Sequence, residues 1–338
     1  MASSSVPQSS DAATRSTDTD ALVSRTSAAS LGYILDPYSC HLLPPSLRRS
    51  TDKRPPLINL GTHARTWAVD HLVRQFLLSG EGKGKGKQVL SLGAGTDTRF
   101  WRFRDEWERQ GWEWECRKWV EVDFEEATAS KARSISGKLA FKSKLGGEVK
   151  IAQGGTALHS PLYSLLPTDL RSLPTLSSSL SPILDPSIPT LLLAECVLIY
   201  LPPSSTSDLL HWFAETFVKD GSAAVSYDPF GLQDNFGQVM IRNLATRNLS
   251  LPAAPTTPTL NSLSNRLIDA GFSSANSLSI AQIREGVLPK EEAARVAKIE
   301  QIDEVEELNL VLQHYAVTWG SLGGGEGEVG EVVGLRMR

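Results

Sequence analysis

The residues whose types and spacing suit chemistry are two glycines and a few widely separated acids and arginines. Gly93-Ala94-Gly95 follows the apolar run Val89-Leu90-Ser91-Leu92. Glycines at such a turn let the backbone bend sharply and approach a ligand with no Cβ in the way. In an open α/β sheet the turn lies at the carboxyl end of a strand, where these folds bind ligands. Thr98 stands where a G-x-G-x-x-G fingerprint has its third glycine, so this stretch alone leaves a nucleotide-like site and an ordinary tight turn equally open. Asp123 ends a second apolar strand, Trp119-Val120-Glu121-Val122-Asp123. An acid there suits ribose hydroxyls; the alternative is an N-cap for a helix starting at Phe124. Glu195 sits inside the most apolar run, 189–200. A carboxylate near the end of a central strand is costly unless paired or placed at a site, and a site is favoured over a core ion pair. Arg65 falls in the first turn of a helix expected over 60–78, where the macrodipole prefers acids. That position suggests a specific partner, with a solvated arginine as the alternative. The six histidines and Cys40, Cys116 and Cys196 show no metal-ligand spacing, so no metal is expected.

The elements that must position these residues follow from the apolar pattern. Strand–helix units alternate four or five times between residues 88 and 227, which predicts a doubly wound α/β sheet. A helix is expected to start at Thr96 or Asp97, and another to run from 124 to about 136. Residues 162–166 read as a third strand, and 172–189, rich in Ser, Pro and Leu, as a loop. Pro202-Pro203 opens an amphipathic helix reaching 217, and 221–227 form a further strand. Beyond Tyr227 the pattern changes, with helices at 239–246, up to Gly271 and at 290–300. A strand is expected at 275–280, and HYAVTW at 314–319 reads as a last antiparallel strand. Asp303-Glu304 and Glu306-Glu307 read as a solvated acidic face.

The expected organisation is a disordered arm at 1–20, one domain over 21–320 and a flexible tail at 321–338. Within that domain N-terminal helices span 21–80, a ligand-binding core 87–228, and a lid with the C-terminal half 229–320. GEGKGKGK, residues 80–87, is expected as a linker. The formal net charge of −4 over 338 residues calls for neither nucleic acid nor an anionic membrane. No apolar run is long enough to span a bilayer, and the first residues lack the apolar stretch of a signal peptide. With no paired cysteines, a reduced cytoplasmic compartment is expected; a monomer is expected as well.

On these residues the chain resembles the leucine carboxyl methyltransferases, which act on protein phosphatase 2A. The matching pieces are LGYILDPY, INLGTHAR, LSLGAGTDTRFWRF, EVDF, TDLRSL, PTLLLAECVLIYL, DNFGQVMIRNL and IEQIDEVEELNLVLQHY, in that order from about Arg25 to Trp319. The resemblance implies S-adenosylmethionine as cofactor, a seven-stranded methyltransferase sheet with an added substrate-recognition lid, and methylation of the α-carboxylate of the phosphatase catalytic subunit's C-terminal leucine. By motif it places Gly93 and Gly95 under the methionine part of the cofactor and Asp123 at the ribose. It gives Asp169 the adenine amino group, with Leu170 beside the ring. Arg65 pairs with the cofactor carboxylate, and Glu195 lines the methionine side. Arg25 stands where the family has a basic residue, usually lysine, and Asp228 where it usually has Glu after Tyr.

The implied chemistry agrees with what is missing. A terminal α-carboxylate, with a pKa of about 3.5, is ionised at neutral pH and needs no general base. The absence of a Ser/His/Asp or Cys/His constellation is then expected. Tyr200, Tyr227 and Arg242 are candidates for the acceptor channel. Rival readings are a related enzyme esterifying a carboxylate on modified transfer RNA, a small-molecule O-methyltransferase, and a catalytically silent phosphatase-binding protein.

Overall fold

The structure, a computed structural model, describes residues 10–47, 53–79, 86–323 and 336–337. The chain begins with helices α1 (Ser10–Leu31), α2 (Ser39–Leu42) and α3 (Pro56–Leu78). Strands and helices then alternate: β1 (Lys87–Leu92), α4 (Arg99–Gln110), β2 (Cys116–Asp123) and α5 (Glu125–Ser136). A short α6 (Leu139–Lys142) and two small strands, β3 (Lys150–Ala152) and β4 (Ala157–His159), precede β5 (Tyr163–Pro167). Next come α7 (Leu173–Leu180), β6 (Thr190–Glu195), α8 (Pro203–Thr216) and β7 (Ala223–Pro229). The C-terminal part adds α9 (Asn235–Ala245), α10 (Leu260–Asp269), β8 (Ser274–Ser279), α11 (Ile280–Gly286), α12 (Lys290–Val296), α13 (Val305–Gln313) and β9 (Tyr315–Ser321).

The strands form one nine-stranded sheet of order β3-β4-β5-β2-β1-β6-β7-β9-β8. From β5 to β7 all neighbours are parallel, and β9 runs antiparallel between β7 and β8. The expected seven strands are those from β5 to β8; the antiparallel β3–β4 pair extends the β5 edge. The apolar runs explain the layering. Every residue of β1 is buried, because a central parallel strand is covered on both faces. Successive side chains point to opposite faces. Val89 packs with Val69 and Phe76 of α3, while Leu90 and Leu92 pack with Leu176 of α7 and Phe213 of α8. Each such side chain contributes about 1.5–3 kcal/mol on burial. The parallel pairing of β5, β2, β1 and β6 sets the register of their ends and so fixes the turns that follow them.

Several expectations are corrected. Residues 10–20 are not a disordered arm: they are the first half of α1, with Ala13 buried. The polar composition misleads because the hydroxyls of Thr14, Ser16 and Thr17 donate to carbonyls three or four residues back, so a helix accommodates them. Residues 1–9, 80–85 of the linker and 324–335 and 338 of the tail lie outside the described residues. The tail expectation fails at its start, where Ser321 closes β9 and Leu322 is buried. The loop expected at 172–189 contains α7, whose Leu176 and Leu180 enter the core. The acidic stretch is exposed as expected, but it opens α13, with Glu306 and Glu307 in the first turn, where acids suit the dipole. Among the described residues no helix is long and apolar enough to cross a membrane, and no cluster of His, Cys, Asp and Glu suits a metal ion.

Candidate active site

A cavity of about 260 Å³ lies at the carboxyl ends of β1, β2, β5 and β6, with α1 along its side. Gly93, Gly95, Asp123, Asp169, Leu170, Glu195, Arg65 and Arg25 all line it. The sheet order therefore brings together residues that are up to 170 positions apart in the sequence, from Arg25 to Glu195.

The glycine turn is needed sterically. Gly93 and Gly95 have φ of +55° and +47°, a region costly for residues with a Cβ. A Cβ on Gly93 would stand 2.4 Å from Val197 Cγ2, and one on Gly95 2.3 Å from Asp18 Oδ1. The Gly95 N–H donates to Asp123 Oδ2 at 2.6 Å, and the Phe124 N–H donates to Asp123 Oδ1 at 2.6 Å. Asp123 does not cap α5: the N-cap is Phe124, with no side-chain cap bond. Burial pushes the Asp123 carboxyl up to about 6, against the two N–H bonds that favour its charge, and Asp18 adds to the rise. The N-cap position of α4 is Thr98 and not Thr96 or Asp97, although Asp97 Oδ1 accepts the N–H of Arg99, the first residue of the helix, at 2.9 Å. Thr96 turns instead toward α1, its N–H and hydroxyl donating to Asp18 Oδ1 at 2.8 and 2.7 Å.

Glu195 is both a site residue and an ion pair. Arg65 Nε donates to Oε2 at 2.8 Å and Arg99 Nη2 lies 2.7 Å from Oε1. Burial alone would raise its pKa, but the two guanidiniums outweigh it and hold the carboxyl below its ordinary value. The helix that carries Arg65 starts four residues earlier than expected, at Pro56. Arg65 is therefore past the first turn, and the dipole argument does not apply to it. Its guanidinium lies 4.5 Å from the centre of the Tyr227 ring, which itself stacks on Tyr315 at 5.4 Å.

Of the acceptor candidates, the structure brings only Tyr200 to the cavity. Tyr227 is buried beneath Arg65 and holds that side chain from behind. Arg242 is exposed on α9, its Nε donating to the Gln238 carbonyl at 3.2 Å. The candidate residues missed in the sequence belong mostly to α1. Asp11 takes two bonds from Arg171, at 3.0 and 2.9 Å, while the same guanidinium holds Asp169. Arg15 lies 3.3 Å from Glu126; Arg25, on the same helix and already named from the sequence, donates to the Thr96 hydroxyl at 2.5 Å. A helical spacing of acids and arginines, Asp11, Arg15, Asp18 and Arg25, was the available signal. Arg99 was the other omission; it lies within the quoted LSLGAGTDTRFWRF stretch.

Both ends of the site carry paired charges: Asp123 and Asp169 stand at the β2 and β5 side, Asp169 held by Arg171, and Arg65 stands at the β6 side, held by Glu195. The arrangement suits a ligand with hydrogen-bond donors at one end and an anionic group at the other, held beside a half-buried phenol.

The family model for leucine carboxyl methyltransferase matches residues 13–214. Leucine carboxyl methyltransferase 1 of Cryptococcus neoformans var. neoformans serotype D is 41% identical, over 94% of this chain and 95% of the relative. The Bos taurus protein of the same name is 34% identical, over 96% and 94%. A solved structure described as a putative methyltransferase from Thermobifida fusca shares the fold, with a TM-score of 0.50 at 16% identity over 90% of this chain and 92% of that one.

Proposed function

Because this chain belongs to the leucine carboxyl methyltransferase family, we propose that it transfers a methyl group from S-adenosylmethionine to the α-carboxylate of the C-terminal leucine of a protein phosphatase 2A catalytic subunit. The observation that carries the reading is the convergence of the motif-matched residues on one cavity. The residues present fit the cofactor. The glycine turn leaves room where a Cβ would clash. Asp123 and Asp169 are acceptors for ribose hydroxyls and the adenine amino group, with Leu170 against the ring. Arg65 and Arg25 are the cations for an amino-acid carboxylate, and Glu195 fixes Arg65.

When bound, S-adenosylmethionine supplies a methyl carbon activated by sulfonium. The chain's own residues then have three tasks. They align the acceptor carboxylate with that carbon, and alignment alone accounts for several kcal/mol of such barriers. They exclude water from the attacking anion, for which α1 is placed, fastened across the cavity by Asp11–Arg171 and Asp18–Thr96. They also keep the donor and acceptor sides apart, with Tyr200 the lining residue on the acceptor side. No residue needs to move a proton, since the acceptor is ionised at neutral pH. The reading includes a cytoplasmic monomer with no nucleic-acid or membrane partner.

The test uses tritiated S-adenosylmethionine with three acceptors: the phosphatase catalytic subunit, a peptide of its tail, and a tail-deleted subunit. Base-labile label is expected on the intact subunit and far less on the peptide, because remote contacts contribute to alignment and a truncated acceptor loses rate as well as affinity. Label on the tail-deleted subunit would refute the terminal-carboxylate reading. S-adenosylhomocysteine should also raise the melting temperature, by about 2.7 kcal/mol of stabilisation at a hundredfold excess over Kd, whereas NAD should not.

A further inference from the structure

Among the hydroxyls that line the cavity, that of Thr168 has no role from the motif match and no partner in the described residues. Thr168 follows β5, and its N–H donates to the carbonyl of Asp123 at 2.9 Å. The ends of β5 and β2 are therefore tied together at this point, with Thr168 next to Asp169 in the chain. Its side chain lines the cavity and is 5% exposed. Its Oγ1 is buried and has no hydrogen-bond partner among the described residues. The other threonines that line the cavity, Thr14 and Thr17, donate their hydroxyls to the carbonyls of Ser10 and Thr14, and the hydroxyl of Thr96 is taken by Asp18 and Arg25.

A buried hydroxyl without a partner destabilises a fold, whereas valine has nearly the same shape and carries no such penalty. Threonine and valine suit the end of a strand equally well on conformational grounds. The hydroxyl is the difference between them, and folding gains nothing from it here. Such a group is explained when a ligand completes its hydrogen bonding.

We propose that Thr168 is a further binding residue, whose hydroxyl hydrogen-bonds to the adenosine half of the cofactor between the ribose held by Asp123 and the adenine amino group held by Asp169. The proposal rests on the reading that this cavity binds S-adenosylmethionine. Position selects the adenosine half. The guanidinium of Arg65 reaches the end of β6 through Glu195, and β6 is separated from β5 by β2 and β1. Three strand spacings of about 4.8 Å put the two ends roughly 14 Å apart. Thr168 therefore stands at the nucleoside end and not at the amino-acid end. A hydroxyl both donates and accepts, so the polar edge of the base and the ribose oxygens share the chemistry it recognises.

The experiment is titration calorimetry on the full chain with S-adenosylhomocysteine and with 5′-methylthioadenosine, which has no amino-acid half. Thr168→Val should weaken both ligands by about three- to tenfold, the worth of one neutral hydrogen bond. Thr168→Ser, which keeps the hydroxyl, should bind both at about the wild-type affinity. The ligand-free Thr168→Val protein should melt at or above the wild-type temperature, since the substitution removes an unpaired hydroxyl. Unchanged affinity for both ligands overturns the proposal. So does a loss confined to S-adenosylhomocysteine, which would put the contact on the amino-acid half. A lower ligand-free melting temperature accompanying the lost affinity would make Thr168 a structural residue and overturn it as well. Failure of the wild-type chain to bind either ligand would overturn the reading of the cavity itself, and is distinct from failure of the variant alone.

Discussion

Asp123→Ala is expected to weaken binding of S-adenosylhomocysteine by about 2–4 kcal/mol, the range for charge-assisted hydrogen bonds lost from a site. The ligand-free protein should lose no more than about 1 kcal/mol, the usual worth of a local side-chain bond to the backbone. The two effects separate because Asp123 caps no helix; its carboxylate holds the Gly95 and Phe124 N–H groups at the mouth of the cavity. The residue also carries a pH signature. Its folded pKa is pushed up to about 6 by burial, from an ordinary value of 3.8. A raised folded pKa contributes stability that is fully present below 3.8 and is lost as pH rises through about 6. At neutral pH the ligand-free fold therefore bears a charged group it disfavours, and ribose hydroxyls relieve it by donating to that charge. Affinity should then be flat above pH 7 and fall by up to about tenfold per pH unit below 6, with Asp123→Ala lacking this acid limb. Calorimetry from pH 5 to 7.5 reads both. Equal affinity of variant and wild type, or a wild-type affinity independent of pH over that range, would rule out the ribose role.

The contrast between Asp123 and α1 explains how far the sequence could be read. The strands were legible because their apolar runs are continuous, as in β1 and β6, and both faces of those strands are covered. The residues at their carboxyl ends were legible for the same reason: a strand end fixes position, so Gly93, Gly95, Asp123 and Glu195 could be placed before any contact was known. The first turns of α1 were not legible. Their Ser, Thr and Asp content imitates a disordered segment, and what orders them is a set of partners distant in sequence, such as Arg171 for Asp11 and Thr96 for Asp18. Helix α7 was obscured by its serines, although Leu176 and Leu180 are spaced one turn apart. Tyr227 and Arg242 were candidates for the acceptor side that nothing in the sequence could place. Burial puts the first behind Arg65, and exposure puts the second away from the cavity. Arg99 shows the same limit from the inside, because a single arginine after a glycine turn does not announce the carboxylates it will meet.

Arg99 also carries the largest expected effect on stability. It is 3% exposed, and its guanidinium meets carboxylates from three elements or turns. Nε donates to Asp70 Oδ1 of α3 at 2.6 Å, Nη1 to Asp97 Oδ2 at 2.5 Å, and Nη2 lies 2.7 Å from Glu195 Oε1. Each carboxylate keeps a second cation: Arg102 for Asp70, Arg25 at 3.9 Å for Asp97, and Arg65 for Glu195. Arg99→Met preserves most of the side-chain volume and leaves buried negative charge undercompensated, for which the loss is about 3–5 kcal/mol. The loss should depend on pH in a defined direction. Against the upward push of burial, Arg102 and Arg99 hold Asp70 below its ordinary value, and Arg99 and Arg65 do the same for Glu195. Depressed carboxylate pKa values contribute stability above the unfolded values of about 4 and lose it as pH falls through the folded ones. The wild-type protein draws on that contribution at pH 7 and the variant largely does not. Their difference should therefore be greatest near neutrality and shrink below about pH 5, as the carboxylates of the variant take up protons first. Urea unfolding of both proteins at pH 7 and pH 4.5 measures it. A loss under about 1 kcal/mol that is the same at both pH values would show that Arg99 is replaceable packing, and that Glu195 is held at the cavity by Arg65 alone.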